Sequence, residues 1–507
     1  MRRYEIFSAP CIWANSELLD PSMRRIFTVF HALGLMLVVF STTYLIPMAV
    51  SLIYDDGTLL AFLLAMVWTS CIGFLMWLLT RRQKGELSIR HGYLLVLGMW
   101  TAMPAVATLP LLMVIDSLSF TDAYFETMSG ITTTGATVLN GLDNLPPALN
   151  IWRNELSWMG GMGIIVLAVA VLPLMGVGGR QLFKAETPGP MKESALTPRI
   201  TETARNLWLV YLGITVACIA SLKLAGMNWL DAVCHGFAAM SLGGFSTHDA
   251  NVGYFNSPAI EFVLIVFMLL AAMNFSTHFL AWRAKSLRVY LRDSEAIGTV
   301  SLILVSCLGI ALFLWWKGVY PNFWTSLRHA SFNLVSIATD CGFSSTDFNR
   351  WPIFAPMWML FLSCITASSG STGGGIKMIR TLILFKQAGR EFVKLLHPAV
   401  VNPMKIGGHV VPNNIVFAVL GFIFLYFMTV TILTFSLMAS GLDFISSLSA
   451  IIACVNNAGP GLGVVGPAGN FSVLTDFQTW VCTLAMLAGR LEIFTLLIIF
   501  TPHFWRR

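Results

Sequence analysis

Apolar runs long enough to cross a bilayer recur from one end of the chain to the other. Read against turn and charge signals, they place ten spans, at 27–54, 59–80, 92–115, 152–176, 206–226, 259–282, 297–318, 354–385, 412–440 and 476–500; a membrane helix needs roughly 20 such residues. Two kinds of connection alternate between them. One is basic: Arg24 and Arg25; Arg81, Arg82 and Lys84; Arg180, Lys184, Lys192 and Arg199; Arg283, Lys285, Arg288 and Arg292; Lys386, Arg390, Lys394 and Lys405; Arg506 and Arg507. Positive charge is retained on the cytoplasmic side, so this bias puts both termini in the cytoplasm. The other kind, at 116–150, 227–258, 319–353 and 441–475, is long, glycine-rich and poor in Lys and Arg. Each of these holds an apolar stretch too short to span, the mark of a re-entrant loop.

Irregular backbone at membrane depth is tolerated where it is buried in protein or lines a water-filled path, so four such loops imply one shared pore. The loops align without a gap as DAYFETMSGITTTGAT (122–137), DAVCHGFAAMSLGGFS (231–246), HASFNLVSIATDCGFS (329–344) and SSLSAIIACVNNAGPG (446–461). In each, helix-compatible sequence runs into a segment centred on Gly135, Gly244, Gly342 or Gly459. The spacing of these glycines leaves room for one helix out, a turn and one helix back. The predicted fold is an all-α polytopic membrane protein: four tandem repeats of helix, pore loop and helix around a central pore, plus two extra N-terminal membrane helices. The units are a cytosolic tail (1–26), the extra helix pair (27–81) and pore repeats at 92–185, 200–290, 296–395 and 408–507.

A dehydrated alkali cation needs fixed oxygens, and rings of backbone carbonyls supply them. Glycine reaches the left-handed backbone angles that turn carbonyls toward an axis, and the pore-helix C-termini add negative potential. The predicted filter comprises Thr133, Thr134 and Gly135; Leu242, Gly243 and Gly244; Asp340, Cys341 and Gly342; Asn457, Ala458 and Gly459. Asp340 either adds negative charge at the inner end of the filter or accepts hydrogen bonds behind it. Asp122, Glu126, His235 and His329 are expected to brace the loops by hydrogen bonding. Asn274 and His278 are expected to line the cavity below.

In FLSCITASSGSTGGGIKMIRTLIL (361–384) eight successive small or hydroxyl residues break a span, each interior glycine costing about 1 kcal/mol relative to alanine. The break serves either as a gate or as a close helix-packing surface. As a gate it contributes Ser369, Gly370, Gly373, Gly374, Gly375 and Lys377. Arg490 and Glu492 interrupt the last apolar run, and intramembrane charge normally faces a cavity or a partner. Arg490 is expected to raise a barrier to cations or to form a structural ion pair.

Composition narrows the field: 56% of the 507 residues are hydrophobic and 11% charged, which excludes a soluble domain. The nine cysteines lie mostly within apolar runs without metal-ligand spacing, so no disulfide framework is implied. Residues 1–25 lack a signal-peptide core. GGMGIIV lies within a span and is no dinucleotide site. A membrane enzyme would concentrate acidic or histidine residues at one membrane face; here they are scattered, so no enzyme is expected.

The motifs ITTTGAT, GGFSTHD, CGFSSTDF, NNAGPG and SSGSTGGGIKMIRT, with Arg490, resemble the Trk/Ktr/HKT superfamily of cation transporters, best its TrkH/TrkG branch, from about residue 27 onward. The resemblance implies a potassium-selective path in a bacterial inner membrane, K+ as the transported ion and no covalent cofactor. It also implies a homodimer with one pore per protomer, set in membrane lipid, and a cytosolic TrkA-like nucleotide-binding ring, with no nucleic acid partner. By the same resemblance 368–376 is an intramembrane gating loop and Arg490 obstructs the pore. A serine at the first filter glycine goes with sodium preference in this superfamily; Gly135 favours potassium. Leu242, Asp340 and Asn457 depart from the threonine at Thr133, which implies moderate discrimination against sodium. The rival is a proton-coupled symporter using Glu126, Asp340, His278 or Glu492.

Overall fold

The computed structural model describes residues 21–81, 89–163, 200–407 and 409–506. The expected cytosolic tail up to residue 20, Arg82, Lys84, the basic residues from Arg180 to Arg199, and Arg507 lie outside the described residues.

Each repeat begins with an unbroken leading helix: Ile89–Val114, Ile200–Leu224, Ser294–Trp316 and Asn413–Ala439. A pore helix follows: Phe120–Ile131, Trp229–Ser241, Phe323–Ala338 and Phe444–Asn456. Capping chemistry explains why these four start where they do. Ser119, Asn228, Asn322 and Asp443 each accept, through the side chain, the backbone N–H three residues on, satisfying a donor that has no partner within the helix. With 12 to 16 residues they are about 18–24 Å long, too short to cross a hydrocarbon core of about 30 Å. They must enter and turn back.

The second and fourth trailing helices differ from their prediction as continuous spans, and the third is broken where its glycine-rich segment predicts. Pro147–Trp158 passes into a π-helical turn at Met159–Gly163. Pro258–Ala271 bends by 96° into Phe275–Ala284. Phe354–Ile365 is separated from Met378–Leu396 by the glycine-rich segment, and Asp476–Arg490 from Phe494–Ile499 by a turn in which Glu492 and Ile493 have positive φ. Repeats 2, 3 and 4 therefore break their trailing helix at a comparable place, the break in repeat 3 being the longest of these three; in repeat 1 the described residues end at the π-helical turn. Small residues allow this, since the broken segments sit against the ends of the pore helices. A Cβ on Gly160 would lie 1.8 Å from the Ile131 carbonyl oxygen, and one on Gly374 equally close to that of Asn456.

The extra helices, Pro21–Ser41 running through a 3-10 turn to Tyr54, and Leu59–Thr80, cross at Gly34 and Gly73, where a Cβ on either would come 2.7 Å from the carbonyl oxygen of the other. Ser70 donates to Ser41 at 2.7 Å beside this crossing. The pair docks on repeat 1 through Tyr44 stacked on Trp152 at 4.5 Å and through Asp56, which accepts the Ala148 N–H at 2.9 Å. Burial records the result. The first leading helix has 61% of its apolar window buried, against 28%, 39% and 28% for the other three, so the extra pair shields it alone from lipid. The apolar core splits in three among the described residues: the largest part joins the extra pair to repeats 1 and 4, a second joins repeats 2 and 3, and a small third packs Ile379 and Ile383 of repeat 3 against Val416 and Val419 of repeat 4. A two-residue hairpin, Lys405–Ile406 with His409–Val410, leads into the last leading helix.

Gly73→Leu should overpack the helix crossing and destabilise the protein by about 1–3 kcal/mol, read as a lower midpoint of thermal unfolding in detergent; an unchanged midpoint would remove the tight crossing.

Candidate ion pathway

The four pore helices end alike. The N–H of Thr134, Gly243, Cys341 and Ala458 each bonds at 2.8 Å to the carbonyl five residues back, at Ser129, Ala238, Ser336 and Ala453. This is the Schellman bond, and it requires a left-handed residue just before it. That residue is Thr133, Leu242, Asp340 or Asn457, with φ of 57°, 55°, 66° and 58°. None is glycine, and a left-handed non-glycine residue costs about 1–2 kcal/mol. Two residues on, Gly135, Gly244, Gly342 and Gly459 are again left-handed, at 77°, 62°, 91° and 85°.

Those glycines meet in a ring. A Cβ on Gly135 would lie 2.2 Å from the Gly243 carbonyl oxygen, one on Gly244 2.1 Å from that of Cys341, one on Gly342 2.6 Å from that of Ala458, and one on Gly459 3.0 Å from that of Thr134. Each loop abuts the next, and the fourth abuts the first. At the mouth a second set of ties closes in the same order. Leu142 N–H reaches Asp249 at 3.0 Å, and Gly253 N–H reaches the Ser344 carbonyl at 3.2 Å. Asn349 exchanges two 3.1 Å bonds with Gly463, and Phe471 N–H reaches the Thr137 carbonyl at 2.9 Å. One outward-opening cavity is lined by Gly135, Gly244, Gly342 and Pro460 together.

Polar groups on the pore helices brace the loops in all four repeats, as expected for Glu126 and His235, whereas Asp122 bonds to Ser119 at its own helix cap. Glu126 accepts from Arg153 at 2.7 Å, from Thr137 at 3.0 Å and from the Val138 N–H at 3.0 Å, and Arg153 continues to the Ser246 carbonyl at 3.2 Å. His235 donates to the Asp231 carbonyl at 2.9 Å, which leaves its other nitrogen to accept from Ser246 at 3.0 Å. Asn333 donates to Ser345 Oγ and accepts its N–H. In the fourth, Ser449 accepts the Leu462 N–H at 2.8 Å. His329 departs from expectation: its buried Nδ1 has no hydrogen-bond partner, and its ring stacks on Tyr320. At the mouth His248 bridges Asp143 and Asp231. Partial burial pushes the Asp143 carboxyl up, but the interactions with His248 and the Asp249 N–H together outweigh it and hold the group below its usual range.

Below the ring the four left-handed residues diverge. Thr133 Oγ1 accepts from Arg490, Asn457 donates to Thr134 and to the Met486 carbonyl, and Leu242 is packed in the apolar core. Asp340 accepts the Gly374 N–H at 3.0 Å. Arg490 reaches Thr133 at 3.1 Å, the Thr372 carbonyl at 3.0 Å, and the carbonyls of Gly160 and Gly161 at 2.5 and 2.9 Å. Those partners belong to repeats 1 and 3, which face each other across a ring closed in the order 1-2-3-4. The guanidinium of repeat 4 therefore bridges the pathway under the filter. Glu492, two residues on, pairs with Arg380 at 2.7 Å.

The glycine-rich segment is pinned along its length. Ser368 N–H reaches the Ala272 carbonyl at 3.1 Å, Phe275 N–H reaches that of Gly370 at 3.1 Å, and Thr372 Oγ1 that of Met240 at 3.2 Å. Gly373, Gly374 and Lys377 gather near Asp340, Lys377 donating to the Gly373 carbonyl. Gly375 packs on the carbonyls of Ser363 and Cys364. Ser369 and Gly370 sit apart, against the bend of the second trailing helix. There Asn274 caps the new helix, and His278 donates to the Leu270 carbonyl at 2.8 Å and accepts from Tyr290 at 2.7 Å, so both brace the bend. Sequence reasoning missed Glu295, whose Oε1 accepts the N–H of both Ser369 and Ile379 and so clamps the two ends of the segment. Its position two residues after a helix-capping Asp293 disguised it as an ordinary first-turn acid.

A match to the TrkH family, described as "Cation transport protein", covers residues 58–507. The chain is similar to the Trk system potassium uptake protein TrkH of Salmonella typhimurium, 46% identical over 482 residues, 94% of this chain and 99% of that one. The Trk system potassium uptake protein TrkG of Escherichia coli is 39% identical over 485 residues, 94% of this chain and 98% of that one. Among solved structures, the crystal structure of the potassium transporter TrkH from Vibrio parahaemolyticus superposes with a TM-score of 0.86 at 42% identity, covering 96% of this chain and all of that one.

The ring distances grade the four glycines. Alanine at Gly244 or Gly135 should lower the K+ to Na+ flux ratio in liposomes most, by roughly tenfold or more, followed by Gly342, with Gly459 mildest, since left-handed backbone strains all four but only three would bring the Cβ closer than 3.0 Å to an oxygen. Equal effects at all four positions would dissolve the ring.

Proposed function

The chain belongs to the TrkH family of cation transport proteins, and from that premise we propose that it takes up potassium across a bacterial inner membrane through a selective, gated pore. The observation that carries this reading is the closed ring of four glycine turns, each set against the next loop's carbonyl. Carbonyls converging on one axis replace the hydration shell of an alkali cation, and four pore-helix C-termini lend negative potential. The driving force is the inside-negative membrane potential, about 2.3 kcal/mol per charge per 100 mV.

Thr133, Thr134, Gly135, Leu242, Gly243, Gly244, Asp340, Cys341, Gly342, Asn457, Ala458 and Gly459 form the filter through their backbone. Arg490 with the segment from Ser369 to Lys377 forms the gate. A fixed unit charge met at roughly 5 Å opposes a cation by about 3 kcal/mol at an effective dielectric constant of about 20. The four oxygens that hold Arg490 are supplied by two repeats, so moving the segment that carries Thr372 frees one side of the bridge. A cytosolic nucleotide-binding ring that binds the loop-displaced state more tightly would open the pore, and a homodimer with both termini in the cytoplasm offers it a symmetric surface. Three of the four groups that proton coupling could use, Glu126, His278 and Glu492, already hold structural partners, which supports a channel-like conductor over a symporter.

Arg490→Ala should raise K+ and Rb+ flux into liposomes lacking any regulator by at least about tenfold, since even half of the barrier above is worth that much. Na+ flux should remain below both. No rise would defeat the gate, and a zero-current potential that follows the proton gradient at fixed K+ would defeat the channel-like reading.

A further inference from the structure

We propose that Asp340 is the latch that joins the filter to the gate; this rests on the gating reading just given. Asp340 belongs to the filter turn itself, as the left-handed residue that ends the third pore helix. Its side chain leaves the filter and takes up the Gly374 N–H of the glycine-rich segment at 3.0 Å. Gly373 lies beside the same oxygen. Asp340 is fully buried, and its second oxygen, Oδ1, has no hydrogen-bond partner. Lys377, also buried, lies within electrostatic range and donates to the Gly373 carbonyl.

This arrangement is costly for a group that only props up a turn. A buried carboxylate with one oxygen unsatisfied forfeits solvation that an asparagine would not. Asn457, at the equivalent position of repeat 4, also leaves its side-chain oxygen without a hydrogen-bond partner, but it is a neutral amide and its Nδ2 ties its own turn to Thr134 and to the Met486 carbonyl. Asp340 instead spends its charge on the segment proposed to move. With the segment in place, the carboxylate is held by Gly374 N–H and by the field of Lys377. With the segment withdrawn, both leave together, and the carboxylate faces the cavity, where a cation is its remaining partner. The same side chain thus holds the gate shut and supplies negative charge to the pathway once it opens. Because it hangs from the filter backbone, the gate's position is felt at the ring.

Asp340→Ala should raise resting Rb+ flux into liposomes roughly tenfold, the worth of one hydrogen bond to a charged group. It should also speed, by a similar factor, modification of a cysteine introduced at Ser371 (Ser371→Cys) by a membrane-impermeant thiol reagent. Asp340→Asn, which keeps an acceptor but loses the charge, should raise both by a smaller factor; such partial rescue is not expected of mere space-filling. If Arg490→Ala raises flux while Asp340→Ala changes neither readout, the latch is overturned and the gate stands. If neither substitution raises flux, the gate falls and the latch with it. Should Asp340→Ala fail to give a monodisperse protein, Asp340→Asn carries the test, and no rise in either readout overturns the latch.

Discussion

The contact on which the rest of this structure depends is that of a glycine α-carbon against the carbonyl of the next loop, made four times and closed into a circle. A circle tolerates no slack, because a shift in one loop must be passed to its neighbour. The pore helices must therefore end at one level. Their N-caps fix the start, the left-handed residue fixes the end, and Gly160, Gly374 and Gly489 let the trailing segments of repeats 1, 3 and 4 meet pore-helix ends closely. The mouth ties repeat the same closure with side chains and backbone, so the ring is held from above as well as from within. Buried polar groups such as Glu126 and Arg153 earn their place in this scheme: a loop without secondary structure must have its backbone groups satisfied by something, and at membrane depth water is not to hand.

Backbone symmetry and side-chain asymmetry divide the labour. All four turns share φ angles and the Schellman bond, which is what a ring of carbonyls needs. The four left-handed side chains share nothing. Leu242 packs in the core, Asn457 ties its own repeat to repeat 1, Thr133 receives Arg490, and Asp340 reaches the glycine-rich segment. A pore built from four identical chains would have to repeat any such contact fourfold. One chain with four diverged repeats can place a single guanidinium and a single carboxylate beneath a nearly symmetric ring.

Much of this was legible in the order of residues. The spans, the four loops and the central glycines follow from hydropathy and a gapless alignment, because a glycine that must be left-handed cannot drift in sequence without opening the ring. The break in the third trailing helix was legible from its glycines and serines; those in the second and fourth were not. Pro258–Ala271 and Phe275–Ala284 read as one apolar run, since hydropathy reports solvent and says nothing of a 96° bend made at Ala272–Asn274. Asp340 stood between two roles in sequence because both require a buried acceptor; its bond to the Gly374 N–H, which the structure shows, has no counterpart in the local sequence. Glu295 was hidden because its ligands, two backbone N–H groups 10 residues apart, are contributed by a segment with no local signature for being clamped.

The glycine-rich segment shows why low helix propensity alone makes a poor gate. A segment of glycine and serine left to itself would be disordered, and a disordered plug closes nothing. Here it is held by backbone bonds to the second trailing helix, by Glu295 at both ends, by Asp340 from the filter and by Arg490 from the fourth repeat. Each bond is worth about 1 kcal/mol net, more where a charge takes part, and glycine's conformational entropy opposes them all. The balance can then lie within reach of a partner protein. Reversing a 99:1 preference takes about 5.5 kcal/mol of differential binding, whereas a helix through the same residues, with its ladder intact, would have to be unwound against every one of its own hydrogen bonds. On the proposed gating reading, glycine would lower the stability of a closed state and the charged residues around it would raise that stability by a countable number of contacts; a gate that a regulator can open needs both.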